Sequence, residues 1–183
     1  ELELDLQLGR EERISYNPID RIFDVYNTIK VEKIMTIEEY KKASGAKNTR
    51  GINRDIRLAE LIIKFIEIVS PGGKAIDKFY LARELKLDGP IEEIESTITN
   101  LKSKCKESIK EAALVYLAVS KTVDNESDST RVMRDLKNNI LQNDETLEYF
   151  LDSANNKVDV IMDEFEDKPI QSASELKTIV IQN

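Results

Sequence analysis

The chain has 183 residues, with 27 Lys and Arg against 35 Asp and Glu, a formal charge of −8, no His, no Trp and one Cys. Without His there is no Ser–His–Asp or Cys–His triad, no imidazole base and no Cys2His2 zinc site. One Cys excludes an internal disulfide framework, a CxxC redox pair and a thiolate cluster. At 40% hydrophobic and 34% charged, with 6 Gly and 4 Pro, the composition is that of helices with solvated faces. A chain of this length buries a core without metals or disulfides.

The first segment, Glu1-Leu-Glu-Leu-Asp-Leu-Gln-Leu8, alternates strictly and reads as a strand ending at Gly9. Its expected partner is the β-branched run Thr178-Ile-Val-Ile181 at the other terminus, in the same chain or a second one. Asn17-Pro-Ile-Asp20 then opens a helix, with Asn17 as N-cap and Pro18 in the first turn. Ile19, Ile22, Phe23, Tyr26 and Ile29 follow at helical spacing. Thr36-Ile-Glu-Glu39 is a capping box for a short helix ending near Gly45. A polar loop, Gly45 to Gly51, leads into the most apolar stretch, Ile52 to Val69, which is expected to be a central buried helix. Ser70-Pro-Gly-Gly73 stops it.

A helix with Ile76, Phe79, Tyr80, Ala82 and Leu85 closes at Leu87-Asp-Gly-Pro90. From Pro90 the expected core positions Ile91, Ile94, Ile98, Leu101, Cys105, Ser108, Ala112, Val115, Val119 and Thr122 recur at unbroken 3,4 spacing. That is a heptad seam, and it predicts one helix about 48 Å long. After the polar turn 123–129, Val132, Leu136 and Ile140 mark another helix. Asn143 caps a last one carrying Leu147, Leu151, Ala154, Val158, Ile161 and Phe165. The seams predict a long antiparallel helical hairpin.

Charge is segmented. Residues 41–57 hold six bases (Lys41, Lys42, Lys47, Arg50, Arg54, Arg57) and one acid, whereas 143–167 hold nine acids and one base. A basic, glycine-flanked loop before a helix N-terminus can take phosphate or an acidic partner, and Lys47, Arg50, Arg54 and Arg57 are the candidates. No GxxxxGK[ST] or GxGxxG loop is present. Cys105 lies on the seam, where a lone Cys acts as a small hydrophobe.

Two short resemblances add expectations. Residues 74–104, with Leu81, Ala82, Leu85 and Leu87 before the turn and Ile94, Ile98 and Leu101 after it, resemble a helix–turn–helix of the winged-helix type. In that family the second helix enters the DNA major groove; here its first turns carry Glu92, Glu93 and Glu95, which phosphate repels. Glu145-Thr-Leu-Glu148 with Glu164-Phe-Glu-Asp167 is similar to the ExxE…ExxD signature of the all-α nucleotide pyrophosphohydrolases of the MazG type. That likeness implies Glu145, Glu148, Glu164 and Asp167 as Mg²⁺ ligands on a triphosphate. On one continuous helix the two pairs would lie roughly 28 Å apart, so the site requires a turn near 153–156.

The expected fold is mainly α: a helical domain with a long antiparallel hairpin in the C-terminal half and short β-strands at the termini. Residues 1–89 would form a helical subdomain and 90–183 the hairpin, within one structural unit. The expected function is a non-enzymatic interaction or assembly module, binding a protein partner or a second copy through coiled-coil-like faces. The seam residues Ile91, Ile94, Ile98, Leu101, Val115 and Val119 would carry that contact. The alternatives are a nucleic-acid-associated protein using 41–57 beside the two-helix unit, and the Mg²⁺-dependent hydrolase. No cofactor is expected. No apolar run spans a bilayer and no signal peptide is visible, so a cytoplasmic location is expected. The first residue, Glu1, fits a processed product or an excised piece.

Overall fold

A computed structural model describes residues 17–101, 106–122, 128–139, 141, 147–148 and 150–152. These residues are mainly helical and include no strand. The expected terminal strands, Cys105 and most of the acidic segment lie outside them. The helices are α1 (Pro18–Tyr26), α2 (Ile37–Ser44), α3 (Arg50–Val69), α4 (Tyr80–Glu84), α5 (Asp88–Asn100), α6 (Lys106–Thr122) and α7 (Ser129–Asn139). None of them is long and apolar enough to cross a membrane. The chain forms two compact units, Glu1–Asp55 and Ile56–Asn183, whose boundary falls inside α3.

In the first unit, local chemistry sets the helix ends. The Asn17 side chain accepts from the Ile19 N–H and starts α1. Ile19, Ile22 and Val25 are buried, whereas Phe23 keeps 36% of its surface exposed. The helix runs on into a π turn, Asn27–Val31, in which Glu32 N–H donates to Asn27 O. Lys33 follows at φ 54°, an αL cap, and Ile34 N–H donates to Thr28 O. The capping box of α2 is complete: Thr36 N–H donates to Glu39 Oε2 at 2.8 Å, and Glu39 N–H to Thr36 Oγ1 at 3.3 Å. Gly45, at φ 68°, ends α2 with Ala46 N–H on Lys41 O. Arg21 grips the buried Asp55 with two bonds, Nε to Oδ2 at 3.1 Å and Nη2 to Oδ1 at 3.0 Å.

In the second unit, α3 buries Leu58, Ala59, Leu61, Ile62, Phe65 and Ile66. The Pro-Gly-Gly stop behaves as expected, with Gly72 and Gly73 at positive φ. Lys78 ties that turn down, its Nζ donating to Ser70 O, Ser70 Oγ and Gly72 O at 2.8, 3.0 and 2.6 Å. The expected helix over 76–85 is a short 3₁₀ segment, Ala75–Lys78, followed by the brief α4. Lys86, at φ 51°, closes α4 as Leu87 N–H donates to Ala82 O.

The expected single helix from Pro90 to Thr122 is two helices. α5 stops at Asn100 and Leu101 is extended, at φ −66° and ψ 136°. The cause lies in the run Ser96-Thr-Ile-Thr-Asn100, whose side chains compete for the helix's own carbonyls. Ser96 Oγ and Thr97 Oγ1 both donate to Glu93 O, and Asn100 Nδ2 to Ser96 O. α5, α6 and α7 then pack against one another. α6 is buried on nearly all sides from Ala112 to Ser120, but Ser108, a predicted seam position, is exposed. The Ser120 and Ser129 hydroxyls meet at 3.3 Å between α6 and α7. The Phe150 ring is buried and stands edge-on to Tyr116, with centroids 6.0 Å apart. Of the proposed long second arm of the hairpin, only residues 147–148 and 150–152 are described.

Candidate functional site

A cleft of about 360 Å³ opens on the second unit, lined by Arg57, Glu60, Leu61, Lys64, Glu95, Ile98, Thr99 and Lys110. Four of these come from α3 at i, i+3, i+4 and i+7, so one helical face supplies them. Glu95, Ile98 and Thr99 occupy one face of α5 in the same way, and Lys110 reaches in from α6. Leu61 and Ile98 give the cleft its apolar surface, and the stems of the basic side chains extend it.

Its electrostatics rest on two pairings. Arg57 Nε donates to Glu95 Oε1 at 2.7 Å, and Thr99 Oγ1 donates to the same oxygen at 3.1 Å. The Glu95 side chain is only 9% exposed, so these bonds offset the loss of its hydration. Lys64 and Lys110 both bind Glu107, at 3.5 and 2.6 Å. The Lys110 ammonium beside Glu107 holds that carboxyl below the usual carboxylate range.

The structure brings one residue from each of two sequence-derived candidate sets, Arg57 of the basic segment and Ile98 of the seam, into this single cleft. Lys47 and Arg50 are exposed on the first unit, with no side-chain hydrogen bond or ion pair to a described residue. Arg54 is half-buried and engaged, and Arg57 is committed to Glu95. Among the seam residues, Ile91, Ile94, Val115 and Val119 are buried inside the chain's own fold. Val115 and Val119 pack with Ile68 of α3. Ile98 and Leu101 are half-buried. A partner helix would therefore have to displace internal packing to reach most of the seam.

The segment that resembles a helix–turn–helix folds as the five-residue α4, a turn and α5, and the leading carboxylates of α5 are in use. Glu93 Oε1 accepts from Arg134 Nε and Nη2 at 3.1 and 2.6 Å, and Glu95 holds Arg57. Of the four implied Mg²⁺ ligands, Glu148 is described and exposed; Glu145, Glu164 and Asp167 lie outside the described residues. Among the described residues no group of acids is placed to hold a metal ion. The composition of the cleft was missed by the sequence reading, although the i, i+3, i+4, i+7 set Arg57, Glu60, Leu61 and Lys64 was a usable signal. No protein-family model, no curated protein and no solved structure matches the chain.

Proposed function

We propose that the chain is a non-catalytic protein-interaction and assembly module whose contact surface lies on the first unit. The observation that carries this reading is a row of exposed apolar side chains: Phe23, Val31 and Ile34 are 36%, 45% and 64% exposed. Residues 23 and 31 are eight apart along α1 and its π turn, which returns them to one side of the helix. The π turn and the αL residue Lys33 set Ile34 just beyond them. Large apolar groups gathered in water are a feature of contact surfaces. The heptad seam, in this reading, is mainly the internal framework that holds the second unit together. Light scattering over a range of concentrations tests the reading. Rising mass, abolished by Ile34→Glu with the helical signal unchanged, is the expected result. A strict monomer at all concentrations removes the case for self-assembly.

A second reading, binding of phosphate-bearing polymers or acidic partners, is favoured by the side chains of Lys47 and Arg50. Both are exposed without a described partner around the start of α3. Binding of single- or double-stranded nucleic acid that falls steeply with salt and is lost on Lys47→Glu with Arg50→Glu would support it. No mobility shift at low salt would end it.

A further inference from the structure

We propose that the cleft on the second unit is a binding site for a small zwitterion with an apolar body, an α-amino acid with an aliphatic side chain. Glu95 and Thr99 fix one end of the Arg57 guanidinium: Nε is held on Glu95, which is itself buried and anchored by Thr99. The two terminal nitrogens of Arg57 have no acceptor among the described residues. A guanidinium held through Nε and open at its outer edge is pre-oriented for a carboxylate, which it receives with two parallel bonds.

The other charges sort themselves. Lys64 and Lys110 share the single carboxylate of Glu107, closely at Lys110 (2.6 Å) and loosely at Lys64 (3.5 Å), so one positive charge is left over, which matches the one negative charge of Glu60. Glu60, one helical turn from Arg57, makes no hydrogen bond or ion pair with a described residue. The lining thus presents one open donor edge and one open carboxylate, borne on Cβ atoms roughly 5–6 Å apart. A simple anion would meet Arg57 favourably and Glu60 unfavourably, and a simple cation would meet the reverse. A ligand carrying both charges satisfies both, with its carboxylate on Arg57 and its ammonium on Glu60. Leu61 and Ile98 then supply the surface for an aliphatic side chain. The volume, about 360 Å³, falls within the range of small-molecule sites.

The test is a titration of the isotope-labelled full chain with L-leucine, N-acetyl-leucine and leucine methyl ester, following the Arg57 Nε–H and the methyl groups of Leu61 and Ile98. Leucine is expected to shift these signals at millimolar concentrations, and each blocked analogue to bind at least about tenfold more weakly. Glu60→Gln, an exposed change that leaves the Arg57–Glu95 pair intact, is expected to erase the difference between leucine and N-acetyl-leucine. Arg57→Gln is expected to erase the difference between leucine and its ester, and unchanged helical circular dichroism confirms that the variant is folded. No shift with leucine at about 10 mM overturns the proposal, as does equal binding of all three ligands to the parent chain. The site is independent of Phe23, Val31 and Ile34, so an outcome here leaves the assembly experiment untouched.

Discussion

Gly89 lies against Thr130 with no room for a side chain. A β-carbon on the glycine would stand 2.5 Å from Thr130 Oγ1 and 3.5 Å from its Cβ and Cγ2. This is the closest approach that α5 makes to α7 through a glycine, and the branched Thr130 has little rotameric freedom to retreat. Gly89→Ala is expected to lower stability by about 1–3 kcal/mol through overpacking. Adding Thr130→Ala removes the offending oxygen, and the double variant is expected to recover most of the loss. Urea denaturation of the three variants measures the coupling; additive losses would contradict the close approach.

The Arg21–Asp55 bond depends on shape as well as charge. Both nitrogens used lie on one edge of the guanidinium, and the carboxylate they hold is 8% exposed. Arg21→Lys keeps the charge and loses the fork, at an expected cost of about 1 kcal/mol. The figure is modest because the Arg21 side chain is 53% exposed and screened by water. Chemical denaturation of this variant beside Lys41→Ala, whose pair with Glu38 is a surface one, is expected to show the larger loss at Arg21.

Acid weakens the capping box of α2 once it protonates Glu39. The backbone N–H of Thr36 and then its hydroxyl stabilise the charged form of Glu39, lowering its pKa. The folded value is below the unfolded one. The contribution is therefore complete above the ordinary glutamate range and lost as pH falls through the folded value. A carbon-detected titration is expected to place the Glu39 midpoint below that of glutamate in a free peptide. Thr36→Ala is expected to move it only part of the way back, because the backbone N–H remains.

Lys33 and Lys86 both hold the left-handed conformation that ends a helix, at φ 54° and 51°. A side chain there costs roughly 1–2 kcal/mol; glycine removes that strain, and its freer unfolded state offsets part of the gain. Lys33→Gly and Lys86→Gly are each expected to raise the melting temperature, by about 0.5–1 kcal/mol in stability. Gly45→Ala is the reverse experiment. It sits at φ 68° with nothing within 4 Å, so its expected loss comes from the backbone alone.

The features legible in the sequence were those decided within one turn of chain. Asn17, the Thr36–Glu39 box, Gly45 and the Pro-Gly-Gly stop each act on neighbours two to five residues away, and each stands where its local chemistry put it. The division of the helix at Asn100 was hidden because the apolar spacing continues through Leu101 into Cys105. The opposing signal was polar, the back-bonding of Ser96, Thr97 and Asn100, which periodicity does not weigh. The cleft was hidden for a different reason. Arg57 and Glu95 are 38 residues apart, and their pairing arises only when α3 and α5 have packed. Burial likewise separated Ile91 from Ile98, which the heptad pattern treats alike.

α2 has no buried side chain, and a tyrosine hydroxyl, Tyr40 Oη on Asp24 Oδ2 at 2.6 Å, links it to α1. Its persistence rests on caps and polar links rather than on a share of the core. Unwinding it uncovers little apolar area, chiefly that of the half-buried Ile37 and Tyr40, so the free energy of that opening depends only weakly on denaturant. Amide exchange across 37–44 is then expected to change little between water and mild urea, while amides of α6, which lies deep in the second unit, exchange markedly faster as urea rises.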